Sequence, residues 1–75
     1  MYKLIIKILD GAKHELPLDG SEYNDLIDQI QKDNVHWVEE YINTEIYWYM
    51  RMNSLWDREV EDFYILDPQG NKLDY

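Results

Sequence analysis

His36 stands ahead of Glu39 and Glu40, and His14 stands beside Glu15, so imidazole and carboxylate groups lie close along the chain in two places. Such groups could bind a metal or move a proton. Catalytic zinc needs three protein ligands in a fixed array, and neither spacing forms one. Asp67-Pro68-Gln69-Gly70-Asn71 has the turn residues of a calcium loop, but not its alternating acids or its bidentate Glu. Ser21 and Ser54 are the two serines, and neither sits in a nucleophile motif or beside a histidine. Gly11, Gly20 and Gly70 are isolated, so no glycine-rich loop is present to cradle a phosphate. There is no cysteine, hence no thiol nucleophile, disulfide framework or cysteine-held metal. These residues predict neither catalytic residues, nor a metal site, nor a cofactor; the chain reads as a binding protein and not an enzyme.

Carboxylates are the most abundant chemistry. Sixteen acids face seven bases in 75 residues, a net charge of −9. A chain of this sign does not neutralise a phosphate backbone, so direct nucleic-acid binding is not expected. Residues 39–75 carry nine acids and three bases, and residues 1–38 carry seven and four, so the excess leans towards the C-terminal half. Glu22, Asp25 and Asp28 recur every third residue and would climb one helix flank by ~4.5 Å per step. Glu39, Glu40, Glu45, Asp57, Glu59, Glu61 and Asp62 load the second half. Rows of carboxylates at such spacings imitate the phosphates of a DNA strand and fit the basic groove of a nucleic-acid-binding protein. The same charge also serves solubility by repulsion.

Trp37, Tyr41, Tyr47, Trp48, Tyr49, Trp56, Phe63 and Tyr64 are too many to bury completely in one small core. Tyr, Trp, Arg and Met dominate protein–protein contacts. Tyr47, Tyr49 and Arg51, with Trp56 nearby, form the patch expected to meet a partner. A homodimer through the same aromatic strand would also cover it.

The elements that must position these groups follow from periodicity. The length suits a single domain spanning residues 1–75. Tyr2 to Leu9 alternates as a strand, with Leu4, Ile6 and Ile8 on one face and Lys3, Ile5, Lys7 and Leu9 on the other. Asp10-Gly11 is a hairpin signal. Ala12 to Leu18 returns as a second strand, whose Pro17 suits an edge or an end. Asp19 or Ser21 could cap a helix over 21–33, with Tyr23, Leu26, Ile27 and Ile30 as its apolar stripe and Asn34 as its stop. Val35 to Ile42 and Glu45 to Met52 read as strands around an Asn43-Thr44 turn, because aromatic and β-branched residues dominate them. In the second of these, Ile46, Trp48, Met50 and Met52 share one face, and Tyr47, Tyr49 and Arg51 the other. A helix over the same residues would instead put Ile46, Tyr49, Met50 and Asn53 on one side. Asn53 to Glu59 is expected as a loop, Glu61 to Leu66 as a strand and Asp67 to Gly70 as a type I turn; a short strand over 72–75 closes the chain. The predicted class is α+β: a small, mostly antiparallel sheet with one amphipathic helix on a face, in the order β-β-α-β-β(-β). The apolar stretch from Leu4 to Leu9, broken by Lys7, is too short and too charged for a signal peptide or a membrane span.

Two resemblances follow. The hairpin and helix over Tyr2 to Ile30 are similar to the start of ubiquitin-type β-grasp domains. The opening Lys3-Leu4-Ile5-Ile6-Lys7-Ile8-Leu9-Asp10-Gly11 with His14-Glu15-Leu16, joined to small size, acidity, spare aromatics and no cysteine, resembles small phage- and mobile-element-encoded inhibitors. These are the anti-restriction, uracil-DNA glycosylase inhibitor and anti-CRISPR proteins. That resemblance is one of type and implies stoichiometric, non-catalytic blocking of a basic nucleic-acid-binding protein in the host cytoplasm, without a membrane. The alternative is a small structural or adaptor protein that homodimerises through its aromatic strand.

Overall fold

A computed structural model describes residues 1–73. Strand β1 (Tyr2–Ile8) and strand β2 (Lys13–Leu18) form the opening hairpin. The Gly11 amide donates to the Ile8 carbonyl at 2.9 Å, and Asp10 Oδ1 accepts from the Ala12 amide at 2.9 Å. Gly11 has φ +99°, which only glycine adopts without strain. The loop is thus a three-residue connection closed by a left-handed glycine. Arg58 Nη1 reaches Asp10 Oδ2 at 2.6 Å and ties this turn to the approach of β3.

Strand β3 (Val60–Leu66) runs antiparallel on the other side of β1, giving the order β2-β1-β3. β1 is therefore central, and Leu4, Ile5, Ile6 and Ile8 are all buried. Ile5 is buried although it lies on the face shared with Lys3 and Lys7. β2 is an edge strand, the position where Pro17 costs least. After β3 the Gly70 amide donates to the Asp67 carbonyl, and Asp67 Oδ1 accepts from the amides of Gln69 and Asn71, all at 2.9 Å. The Asp-Pro-Gln-Gly turn forms as its residues predict. Of the closing strand expected over 72–75, Lys72 makes an isolated bridge to Leu66; residues 74 and 75 lie outside the described residues.

The stretch between the hairpin and β3 holds helices and no strand, and Asn53 to Glu59 forms the loop expected there. A 3-10 turn (Ser21–Tyr23) leads into α1 (Asn24–Gln31), and α2 runs over Val35–Met52. The helix expected over 21–33 is present but shorter, and neither Asp19 nor Ser21 caps it; Gly20 precedes the 3-10 turn without a side-chain cap bond. Leu26 is buried, while Tyr23, Ile27 and Ile30 are half-buried.

The two strands expected over 35–42 and 45–52 do not exist, and neither does the Asn43-Thr44 turn. One 18-residue helix replaces them. Val38, Ile42, Ile46 and Met50 fall every four residues and are the buried residues of α2. Burial of that stripe outweighs the strand preference of Val, Trp and Tyr, which reflects packing context more than backbone preference. Thr44 fits the helix by donating its hydroxyl to the Glu40 carbonyl at 3.1 Å. The β-grasp plan is thus not followed beyond the first helix, and the fold is α+β with a three-stranded antiparallel sheet and two helices.

Both helices end in the same backbone motif. After α1, Asp33 is left-handed (φ +55°), its amide bonds to the Ile30 carbonyl and that of Asn34 to Gln29. After α2, Ser54 is left-handed (φ +57°), its amide bonds to Arg51 and that of Leu55 to Met50. These are Schellman closures, in which glycine is the usual left-handed residue. The stop of α1 is therefore Asp33, and Asn34 instead precedes α2. By contact the chain divides into two compact units: Met1–Asp19 with the stretch from Arg58, which is the sheet, and Gly20–Asp57, which is the helical pair.

Candidate protein interface

The buried residues are aliphatic or Met, and among Tyr2 to Tyr64 no aromatic side chain is buried. Aromatic rings ordinarily supply much of a core. Here Tyr2, Tyr23, Trp37, Tyr41, Tyr49, Phe63 and Tyr64 are half-buried, and Tyr47, Trp48 and Trp56 are exposed.

Some of these rings are structural. Trp37 and Tyr41, one turn apart on α2, stack at 5.2 Å between centroids with 16° between planes. The Tyr41 hydroxyl donates to the Glu22 carbonyl at 3.4 Å, joining α2 to the 3-10 turn. The Tyr41 hydroxyl is pushed above its usual range by burial, then by the carboxylates of Glu45, Asp25 and Glu22. Tyr23 is raised by burial, by the charge of Glu45, by its neighbours Tyr41 and Glu22, and by a hydrogen bond to Glu45. Glu45, assigned from sequence to the partner face, is instead half-buried and belongs to this cluster.

Another set is exposed. Tyr47 and Trp48 each keep 54% of their surface, Met52 81% and Trp56 73%. Helical geometry changes the predicted patch. Tyr47 and Tyr49 would share a face of a strand, but two residues apart on a helix they diverge. Tyr49 is half-buried, whereas Trp48 and Met52, expected on the core face, are exposed. Arg51 lies one turn after Tyr47 and is its neighbour: Nη1 donates to the Tyr47 hydroxyl at 3.3 Å, and the guanidinium stands 5.6 Å from the ring centroid. Trp48 meets Tyr47 edge-on, at 5.4 Å and 83°. Trp56, beyond the left-handed Ser54, lines an open cleft of about 440 Å³ together with Arg51. The spacing Val38-Ile42-Ile46-Met50 was the signal that could have found Trp48 and Met52.

The acids divide between the two units. Glu22, Asp25, Asp28, Glu39, Glu40 and Asp57 are exposed in the helical unit, which carries eight acids against Lys32 and Arg51, a net −6. The expected flank of Glu22, Asp25 and Asp28 is present, with Asp28 paired to Lys32 at 2.9 Å. Glu40 lies 3.4 Å from His36 Nε2. Glu59, Glu61 and Asp62 are exposed but belong to the sheet unit, where Asp62 stands opposite Lys7 in the ladder. Among the described residues no group of three or more His, Cys, Asp or Glu could hold a metal ion, and no helix is long and apolar enough to cross a membrane.

No protein-family model, no curated protein and no solved structure matches this chain. A net-anionic helix pair with exposed Tyr, Trp and Met side chains can attract a cationic protein at long range and bury rings against it at contact.

Proposed function

We propose that this chain is a non-catalytic inhibitor that binds the basic, nucleic-acid-binding surface of a host or defence protein. It acts in the host cytoplasm, in the manner of small phage- and mobile-element-encoded blockers of the anti-CRISPR, anti-restriction or glycosylase-inhibitor type. The observation that carries this reading is the coincidence, in one helical unit, of a net −6 charge with solvent-facing Tyr47, Trp48, Met52 and Trp56. The carboxylates speed encounter and set orientation. The rings slow dissociation once they are desolvated. No cofactor and no direct contact with nucleic acid is required.

The same exposed rings favour a second reading, a homodimer acting as an adaptor, against which the charge of −9 on every copy works. Capture from a candidate host lysate separates the two. Nucleic-acid-binding proteins should be retained at low salt and released at high salt, because exposed charges act through a field that salt screens. Reversal of Glu39 and Glu40 to Lys should abolish retention, and reversal of Glu59, Glu61 and Asp62 reports the part played by the sheet unit. Retention unchanged by both reversals contradicts the acidic-surface reading.

A further inference from the structure

One ring near the end of α2, Tyr47, already holds a cation, and it belongs to this chain. The Arg51 guanidinium lies over the face of Tyr47 at 5.6 Å. A second ring, Tyr64 in β3, carries the Lys72 ammonium at 4.9 Å. Cations settle on aromatic faces because the ring quadrupole is negative there, and guanidinium also stacks. Trp48, edge-on to Tyr47, and Trp56, which lines a cleft together with Arg51, keep 54% and 73% of their surface open to solvent. The other base of the helical unit, Lys32, is paired with Asp28. Open π-faces in a net-anionic field select a positively charged group over an anionic or a neutral apolar one.

We propose that the Tyr47–Trp48–Trp56 face is the docking site for an arginine-bearing segment of the partner protein, and that Arg51 is a placeholder which the incoming arginine displaces from Tyr47. The proposal rests on the reading that the partner is basic, and adds where and by what contact it is held. It also reverses the role expected of Arg51: the residue competes with the incoming group and repels it. A second copy of the chain is the less favoured occupant, since it would bring another −9 to the same surface.

The test uses the full chain and a short poly-arginine peptide, with a poly-lysine peptide of equal length as comparison. The indole signals of Trp48 and Trp56 should move on titration, while that of Trp37, half-buried against Tyr41, should not. Arg51→Met keeps the apolar stem and removes the charge, and should tighten binding about two- to fivefold, the value of one surface cation–π contact. Trp48→Ala and Trp56→Ala should each weaken binding by a similar factor, with circular dichroism confirming an unchanged fold. Weaker or unchanged binding by Arg51→Met overturns the placeholder role. Indole signals that stay still while the peptide binds in a salt-sensitive manner overturn the docking site and leave the acidic-surface reading standing. No binding at all defeats both, and a dimer seen by sedimentation that moves the same indole signals without peptide assigns the face to a second copy.

Discussion

The fold raises the pKa of Tyr23 and of Tyr41. Each lies among carboxylates and is partly buried, so each holds its proton more tightly folded than in a free chain. A group whose pKa is raised by folding stabilises the fold below its unfolded pKa, here 10.0, and loses that contribution as pH rises through the folded value. Stability should therefore be flat with respect to these groups at neutral pH and fall above about pH 10. Tyr41→Phe and Tyr23→Phe should each flatten that alkaline fall, as measured by denaturant midpoints alongside tyrosinate absorbance. At the same scale Tyr47, Arg51 and Trp56, whose types suit a contact surface, are exposed. The sequence misleads for Tyr49 and Glu45, because alternation on a strand and rotation on a helix assign opposite faces to the same residues.

At the scale of the element, the hairpin was readable because Asp10-Gly11 and the alternation of β1 agree with each other. The turn after β3 was readable because Asp67, Pro68 and Gly70 each occupy the position their chemistry favours. Helix α2 was not, and for two physical reasons. Its composition favours strands locally, while its four-residue apolar spacing is visible only across the whole of 38–50. Its end, and that of α1, use Ser54 and Asp33 where a glycine would have announced the stop. Asn43 distinguishes the alternatives by experiment. It is exposed in the middle of α2, so packing does not decide its effect. Asn43→Ala should stabilise the protein by about 0.5 kcal/mol, the difference in helix propensity, as read by urea denaturation. If 43–44 were instead a turn between strands, the same change would destabilise.

At the scale of the whole molecule, the sequence reveals the acidity and the surplus of rings but not their partition. Counting along the chain puts the charge excess in the C-terminal half. The fold puts −6 into residues 20–57, because β3 returns with Glu59, Glu61 and Asp62 to the sheet unit. Each unit buries aliphatic side chains of its own, Leu4, Ile5, Ile6 and Ile8 in the sheet and Val38, Ile42 and Ile46 in the helical pair, and among the described residues no aromatic ring is fully buried. The central claim, that this surface occupies a site made for nucleic acid, is tested most directly by competition. A partner protein captured on the immobilised chain should be released by double-stranded DNA at constant salt, and not by an equal mass of neutral polymer. A partner that holds DNA and this chain at the same time would contradict the account.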